Sequence, residues 1–296
     1  MSESTPQPIP LVHFSDQVPL GFEITRLRKI LEQSNHEHDP TLTHRTDFCI
    51  LIYVDRGAGS HTIDLQSYDV RAGDLVFVGQ GQLQRFANQA DFDGIMILFT
   101  ERFMFRKASL SNSVLLNLLY PLTDYPPVIR STERIIQTIQ MLSAEWQVGE
   151  DSERADILRA LLDYLLLQVC RLRRTTPTTV DSSEKIESFA LFFGLIKQHH
   201  RTSRNATDYA DMMRISYKHL NTVCKEVARS TAKQVIDQFV VVEAKRLLAV
   251  GDDPIEELSV VLGFDETTNF VKYFKRYAGE TPARFRRRSR TDPVRY

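Results

Sequence analysis

The chain has 296 residues, a formal net charge of −1 at pH 7 and 42% hydrophobic residues, values typical of a globular protein with room for two domains. The N-terminal sequence lacks the basic and apolar run of a signal peptide, and the most apolar stretch, residues 158–169, is too short to span a bilayer. We therefore expect a cytoplasmic protein with no membrane partner. The three cysteines, Cys49, Cys170 and Cys224, are far apart in apolar sequence, which predicts buried thiols and neither a disulfide nor a catalytic role.

The first half of the chain is predicted to form a sheet. Between residues 42 and 100, apolar runs such as FCILIYVD and GIMILF alternate with glycine-containing turns. Short strands with regular turns predict a β-barrel or a sandwich. The segment from Thr43 to Phe86, THRTDFCILIYVDRGAGSHTIDLQSYDVRAGDLVFVGQGQLQRF, resembles the cupin-like sensor domains of bacterial regulators. The resemblance implies a β-barrel.

Metal-binding cupins hold an ion with a His-x-His pair, a following Glu and a later His. At the matching positions this chain has His44, Thr46, Ile50 and Gln84, so one ligand of four is present. Residues 36–38 contain another His-x-His spacing, His36 and His38, but in a polar segment where metal binding is not favoured. The sequence therefore predicts no metal and no cofactor.

A barrel without a metal can instead hold a small organic molecule at its mouth. The candidate effector-binding residues are polar side chains on the predicted strands, and for each of them an ordinary structural role is the alternative: His44, Arg45, Tyr53 and Gln84.

Residues 133–146 and 155–174 have the periodicity of amphipathic helices. The second carries a wide apolar face that predicts packing on the sheet, a dimer interface, or both: Leu158, Leu161, Leu162, Leu165, Leu166 and Val169. A polar, proline-containing stretch follows, which predicts a domain boundary. We assign residues 1–175 to a sensor and dimerisation domain, 176–185 to a linker and 186–296 to a second domain. Residues 181–296 contain 20 Lys and Arg against 16 Asp and Glu, a mildly basic balance that favours a polyanionic partner.

The second domain contains the same helical pattern twice. In the later copy, a short helix ends at Gly263, and a second helix capped by Asp265 carries an aromatic stripe opposite a polar, basic face. In the earlier copy, Asn205 caps a short helix and Ser216 caps the helix YKHLNTVCKEVA, 49 residues before Asp265. Each copy has the layout of a helix-turn-helix. Residues 233–250 predict a connecting helix roughly 27 Å long, which suits the ~34 Å repeat of the major groove.

The segment from Glu243 to Arg286, EAKRLLAVGDDPIEELSVVLGFDETTNFVKYFKRYAGETPARFR, is similar to the DNA-binding domain of the AraC/XylS family. Its glycine-phenylalanine turn, FxxxFKRxxG run and TPxxFR ending stand in the family's order. The chain departs from the family at Arg214 and Arg229, where glycine is common, and at Val241 or Val242, where arginine is common. A non-glycine residue at Arg214 costs about 1 kcal/mol if φ is positive.

The resemblance implies an α+β multidomain protein: an N-terminal cupin-like β-barrel with flanking helices and a C-terminal all-α domain with two helix-turn-helix units. It implies a transcription regulator whose partners are double-stranded DNA, a small-molecule effector, a second copy of the chain in a homodimer, and RNA polymerase. Two alternatives stay open, a cupin-type metalloenzyme fused to a DNA-binding domain and a regulator whose N-terminal domain binds only a protein partner. We favour the non-enzymatic, effector-responsive regulator, because the metal ligands are missing.

The exposed face of each second helix supplies the candidate DNA contacts. Asn, Lys and Thr side chains can read base edges in the major groove, whereas lysines and arginines further along suit phosphates. The base-reading candidates are Lys218, Asn221, Thr222, Thr268, Asn269 and Lys272, and the phosphate candidates are Lys225, Lys275 and Arg276. The arginine-rich tail, residues 284–290, either adds affinity through counterion release or is a disordered, solubilising extension.

Overall fold

The computed structural model divides into two compact units, residues 10–178 and residues 179–296. The structure describes residues 9–15, 17–18, 20–32, 39–87, 91–104, 126–149, 152–173 and 183–291. Residues 36–38 and most of the predicted linker lie outside these ranges. The last three linker residues, 183–185, belong to a helix.

The N-terminal unit is built on an antiparallel sheet in the strand order β2-β8-β4-β6-β9, with β5 and β7 also paired to β4. A separate parallel pair joins β1 and β3. The described strands form an open sheet, so the expected closed barrel is corrected. The strands are β1 Leu11–Val12, β2 Phe22–Arg26, β3 Arg45–Thr46, β4 Cys49–Ile63, β5 Gln66–Arg71, β6 Asp74–Val78, β7 Gln84–Phe86, β8 Asp91–Phe99 and β9 Val128–Arg130.

Strand β4 spans 15 residues and organises the sheet, because it pairs with four other strands. Its register with β8 shifts between Val54 and Arg56, which marks a β-bulge. Just beyond it, Gly57 has φ +76°, and a Cβ there would lie 1.9 Å from the carbonyl oxygen of Asp91. The bulge exchanges the two faces of the strand, so that even-numbered residues before it and odd-numbered residues after it share the apolar interior, as Ile52 and Ile63 do.

Four helices flank this sheet: α1 Leu27–Glu32, α2 Glu101–Met104, α3 Glu133–Gln147 and α4 Arg154–Arg173. Helix α4 packs against α2 and α3. Most of its predicted wide apolar face is fully buried inside the chain: Leu158, Leu162, Leu165, Leu166 and Val169. Internal packing uses this stripe, so it is not available to a second copy, and the idea that it serves both contacts is wrong.

The C-terminal unit is all-helical in its described residues. Its helices are α5 Ser183–His199, α6 Ala206–Met212, α7 Tyr217–Ala228, α8 Ala232–Val250, α9 Ile255–Val261, α10 Thr267–Ala278 and α11 Pro282–Thr291. The pairs α6–α7 and α9–α10 form the two predicted helix-turn-helix units, and α8 connects them. No helix in the described ranges is long and apolar enough to cross a membrane.

The N-cap residues define the spacing at which the two helix-turn-helix units repeat. The side chains of Asn205 and Ser216 accept hydrogen bonds from the first turns of α6 and α7, which confirms both caps. The prediction for Asp265 is wrong, because Glu266 is the N-cap of α10 and makes no side-chain cap bond. Ser216 and Glu266 are therefore the equivalent positions, and the second helices repeat at 50 residues.

The arginine tail continues into helix α11. Phe285 is buried with its ring centroid 5.6 Å from that of Phe274, and Arg288 pairs with Glu280 at 2.7 Å. Packing of Phe285 therefore orders residues 282–291, and the expectation of a disordered extension is wrong for this range.

Two arginines adopt left-handed backbone conformations in the first helix-turn-helix unit. Arg214, in the turn between α6 and α7, has φ +57°, and Arg229, after α7, has φ +56°. Their counterparts in the second unit are Gly263 and Gly279, both with φ +77°. The first helix-turn-helix unit therefore carries backbone strain at two positions where the second has glycine and no such strain.

We expect Arg214→Gly and Arg229→Gly each to stabilise the protein by up to about 1 kcal/mol, because glycine removes the left-handed strain. Urea denaturation followed by circular dichroism measures the change. The matched control is Arg284→Gly in α11, where glycine should instead destabilise by about 1 kcal/mol. Equal destabilisation by all three changes would contradict the strain at Arg214 and Arg229.

Candidate functional site

Helix α10 presents a polar, cationic side to solvent because its aromatic side is buried. Phe270 and Phe274 have no exposed surface. The predicted contacts on the opposite side are all exposed: Thr268, Asn269, Lys272, Lys275 and Arg276. The Thr268 hydroxyl donates a hydrogen bond of 3.1 Å to the carboxylate of Glu266, and this bond orients the Thr268 side chain at the start of the helix.

Helix α7 repeats this arrangement around a core of aliphatic residues and Cys224. Lys218, Thr222 and Lys225 are exposed and occupy positions equivalent to Thr268, Lys272 and Lys275. Three side-chain positions of the exposed face thus recur at the same helical offset, so the two helices can act in the same way on a repeating partner.

Asn221 differs from the other predicted base-reading residues. It is half-buried, and its Oδ1 accepts a hydrogen bond of 3.0 Å from the backbone N–H of Ala232, at the start of α8. Reading adenine needs that oxygen and the amide NH2 together. The structure thus gives Asn221 a role in joining α7 to α8. Sequence reasoning missed His219, which is exposed at the position equivalent to Asn269; the 50-residue repeat would have identified it.

The electrostatics of the two faces suit a polyanion. Across the described ranges, no carboxylate forms an ion pair with Lys218, Lys225, Lys272 or Lys275. The Arg276 guanidinium lies 5.4 Å from the ring centroid of Tyr277. These cations are therefore available to phosphates, which carry one negative charge per nucleotide.

A second candidate site lies on the interior face of the N-terminal sheet. His44 and Gln84 face each other across an antiparallel bridge with reciprocal backbone bonds of 3.1 and 2.9 Å. His61 pairs with Phe86 and stacks on its ring at 4.2 Å, and the bulge in β4 places it on the same face as Gln84. All three polar side chains are at most 3% exposed. The bulge explains why sequence reasoning missed His61.

The hydrogen-bonding capacity of His61 and Gln84 is not satisfied. Within the described part of the chain, both ring nitrogens of His61 and the Oε1 of Gln84 are buried without a hydrogen-bond partner. Burial lowers the pKa of His61 to about 3, because an imidazolium would lose its hydration, so the ring is neutral at pH 7. The Nδ1 of His44 donates to the carbonyl oxygen of Leu42 at 2.8 Å. Buried polar groups of this kind are normally satisfied by water or a ligand.

The other two predicted effector residues lie elsewhere. Arg45 follows His44 along the strand, and Tyr53 precedes the bulge at an odd-numbered position, so both belong to the opposite face of their strands. The structure therefore brings together two of the four predicted residues, His44 and Gln84, and adds His61.

The cupin ligand positions carry other interactions. The Thr46 hydroxyl donates to the carbonyl oxygen of Phe48 at 2.8 Å, and Ile50 lies in the apolar core. In the ranges that the structure describes, no three His, Cys, Asp or Glu side chains are grouped to hold a metal ion.

Two domain families match the chain. Residues 209–288 match the helix-turn-helix domain, and residues 29–167 match the AraC-like ligand binding domain. The first match contains α7 and α10, and the second contains His44, His61 and Gln84. Together they cover well over half of the chain.

Relatives along nearly the whole length are regulators. The HTH-type transcriptional activator RhaS of Enterobacter sp. (strain 638) is 19% identical over 279 residues, covering 93% of this chain and 96% of that protein. RhaR of Mannheimia succiniciproducens is 16% identical and covers 90% and 95%. Among solved structures, ToxT of Vibrio cholerae O395 is 12% identical, covers 92% of this chain and 99% of that chain, and has a TM-score of 0.38. The chain belongs to the AraC-type family of DNA-binding transcription regulators.

Proposed function

We propose that this regulator places α7 and α10 in two successive segments of the major groove of duplex DNA, under the control of a small uncharged effector bound in the N-terminal unit. The observation that carries the DNA-binding part is the recurrence of exposed, cation-bearing positions at 50-residue spacing: Lys218 and Thr268, Thr222 and Lys272, and Lys225 and Lys275. Each set stands opposite a buried apolar stripe, so the exposed face is fixed by the fold.

The position along each helix divides the contacts into two kinds. Residues in the first turns reach base edges, so Lys218, Thr268, Asn269 and Lys272 read sequence, with Thr222 beside them. Lys225, Lys275 and Arg276 lie near the helix ends and bind phosphates. We add His219 as the first-unit equivalent of Asn269 and give Asn221 no direct base contact, since its Oδ1 is engaged with Ala232.

The effector part rests on the interior cluster of His44, His61 and Gln84. The Gln84 Oε1 requires a donor, and a neutral His61 offers one donor and one acceptor. Neither the neutral His61 ring nor the Gln84 amide carries a charge, and Phe86 beside His61 adds an apolar surface. A small neutral molecule bearing hydroxyl or amide groups satisfies these requirements better than an ion does.

A homodimer is part of the same proposal. Helix α4 exposes a second apolar stripe, opposite the buried one, at the heptad spacing of a two-stranded coiled coil: Ile157, Ala160, Tyr164 and Leu167. Such a stripe can pair with its own copy about a two-fold axis.

The remaining parts of the proposal follow from the family. They are the boundaries 1–175, 176–185 and 186–296 for sensor domain, linker and DNA-binding domain, a cytoplasmic location, RNA polymerase as a partner and the absence of catalysis.

The DNA interface is tested by two lysine variants on DNA selected by the full-length protein. Lys272→Ala should weaken binding to the selected site by about 1–3 kcal/mol and relax base choice at one position. Lys275→Ala should weaken selected and scrambled DNA alike and lower the salt slope by about one unit, because it removes a phosphate contact. Fluorescence anisotropy titrations across salt concentrations separate the two effects.

The matched control is Lys29→Ala, which removes an exposed lysine of α1 in the N-terminal unit and should change neither affinity nor salt slope. If Lys272→Ala and Lys275→Ala both behave like this control, α10 does not bind DNA as proposed.

The effector site is tested by a thermal-shift screen of neutral monosaccharides, polyols and small amides, with carboxylates for contrast. A neutral compound present at 100 times its Kd should stabilise the protein by about 2.7 kcal/mol. His61→Phe and Gln84→Leu should abolish this shift because they remove the cluster's hydrogen bonds. Gln137→Leu, on the exposed side of α3, should retain it. A shift that survives both cluster variants, or one produced only by carboxylates, would contradict the proposed site.

The dimer is tested by sedimentation equilibrium. Tyr164→Glu and Leu167→Glu should each shift the protein from dimer to monomer, because two like charges would face each other across the axis. Leu42→Glu, at an exposed apolar residue away from α4, should leave the dimer intact. A wild-type monomer at micromolar concentration, or unchanged dimers in both α4 variants, would rule out this interface.

A further inference from the structure

Arg204 connects the two helix-turn-helix units. It directly precedes Asn205, the N-cap of α6 in the first unit. Its Nη1 donates to the carbonyl oxygens of Leu262 at 3.1 Å and Gly263 at 2.9 Å, both in the turn between α9 and α10. Arg204 of the first helix-turn-helix unit thus donates to two carbonyl groups at the C-terminal end of α9, in the second unit. The last carbonyl groups of a helix have no donor within that helix.

The backbones of the two units also meet at this point. Gly263 has φ +77°, and a Cβ on it would lie 1.7 Å from the carbonyl oxygen of Arg201. Since Arg201 lies in the connection between α5 and α6, the turn of the second unit rests directly on the first unit. Glycine permits this close approach as well as the turn itself.

From Arg204 the contacts continue through aromatic rings to α8. The guanidinium carbon of Arg204 lies 3.9 Å from the ring centroid of Phe264, a cation–π arrangement. Phe264 in turn contacts Tyr273 of α10, edge to face, with centroids 5.2 Å apart. Helix α10 is thereby linked to Arg204 through the ring of Phe264.

The other end of this series is a buried carboxylate. Asp237 of α8 is 1% exposed and accepts a 2.6 Å hydrogen bond from the Tyr273 hydroxyl. It also accepts hydrogen bonds from the Tyr277 hydroxyl and from the Lys233 ammonium. Burial raises the pKa of Tyr273 above its ordinary value, so the hydroxyl is a donor at neutral pH. A buried carboxylate with three donors is satisfied and geometrically fixed.

These contacts, which we name the clasp (Arg204, Phe264, Tyr273 and Asp237), hold α10 from two sides. Helix α8 also packs against α10 and α11, and the turn at Gly263 rests on Arg201, so the clasp adds to these contacts between the two helix-turn-helix units. With it, α7 and α10 keep a fixed distance and angle. A rigid pair of binding elements gains effective concentration only when its two sites match that geometry.

We propose that the clasp makes this regulator selective for the spacing between its two DNA subsites, an inference that rests on the proposed binding of DNA by α7 and α10. Moving one subsite by one base pair displaces it by about 3.4 Å along the axis and about 35° around it. A braced pair of helices cannot follow such a change, whereas a loosely joined pair can.

The test uses full-length protein and a series of duplexes in which the two subsites of a selected operator are moved apart or together by one or two base pairs. Wild-type affinity should fall by about tenfold for a one-base-pair change, because the second helix loses its site. In Arg204→Ala and Tyr273→Phe, affinity for the original spacing should fall, and the ratio between original and altered spacing should shrink to about threefold. Binding to a duplex with only the first subsite should be unchanged in both.

Arg201→Ala is the matched control, because it removes an exposed positive charge three residues from Arg204 and leaves the clasp intact. It should keep the wild-type ratio between spacings. Tyr273→Phe changes no positive charge, so agreement between it and Arg204→Ala separates geometry from charge. The ratio is measured on a single preparation, so a lower folded fraction does not alter it.

A wild-type protein indifferent to spacing overturns the inference, as do variants that retain the wild-type ratio. If the wild-type protein binds no selected duplex at all, the proposed DNA binding itself fails. Loss of the spacing ratio together with retained single-subsite binding supports the clasp.

Discussion

Burial of the aromatic stripe of α10 is the interaction on which the DNA-binding unit depends. Phe270 and Phe274 have no exposed surface, and Phe274 contacts Phe285 of α11. Rotating α10 about its axis would expose these rings at a cost of several kcal/mol. The same burial that stabilises the unit therefore determines which side chains face solvent. The lysines of α10 contribute little to stability, and their placement is a consequence of the core.

The helical part of the structure could be predicted because its information is local. A period of 3.6 residues identified α7, α8 and α10, and the exposed lysines follow from the same period. Helix ends are less determined: Glu266, not Asp265, is the N-cap of α10, and the turn from Gly263 to Glu266 is one residue longer than the turn from Arg214 to Ser216. The hydrogen bond made by Asn221 could not be predicted, for another reason. Its bond to Ala232 depends on how α8 leaves α7, which no spacing within α7 reveals.

The sheet could be predicted less well, because its register depends on contacts between distant strands. A single bulge after Val54 exchanges the faces of β4 and brings His61 next to Gln84, while Tyr53 stays on the other face. Alternation alone cannot locate such an extra residue. The same limitation applies to barrel closure, which requires knowledge of both sheet edges. The position of His61 in the cluster and the open edge of the sheet both follow from strand pairing, and local sequence does not reveal either.

The clasp and the interior cluster together restrict how an effector can act. A ligand shifts an equilibrium only through different affinities for two states. If Arg204 and Asp237 brace α7 against α10, separating the two helices would break a buried carboxylate network, which is costly. An effector satisfying His61 and Gln84 gains only a few hydrogen bonds, each worth about 1 kcal/mol net. That energy is too small to disrupt the braced unit but sufficient to bias how two copies of it are paired. In the proposed dimer, we therefore expect regulation to act on the pairing of the two copies and to leave each DNA-binding unit intact.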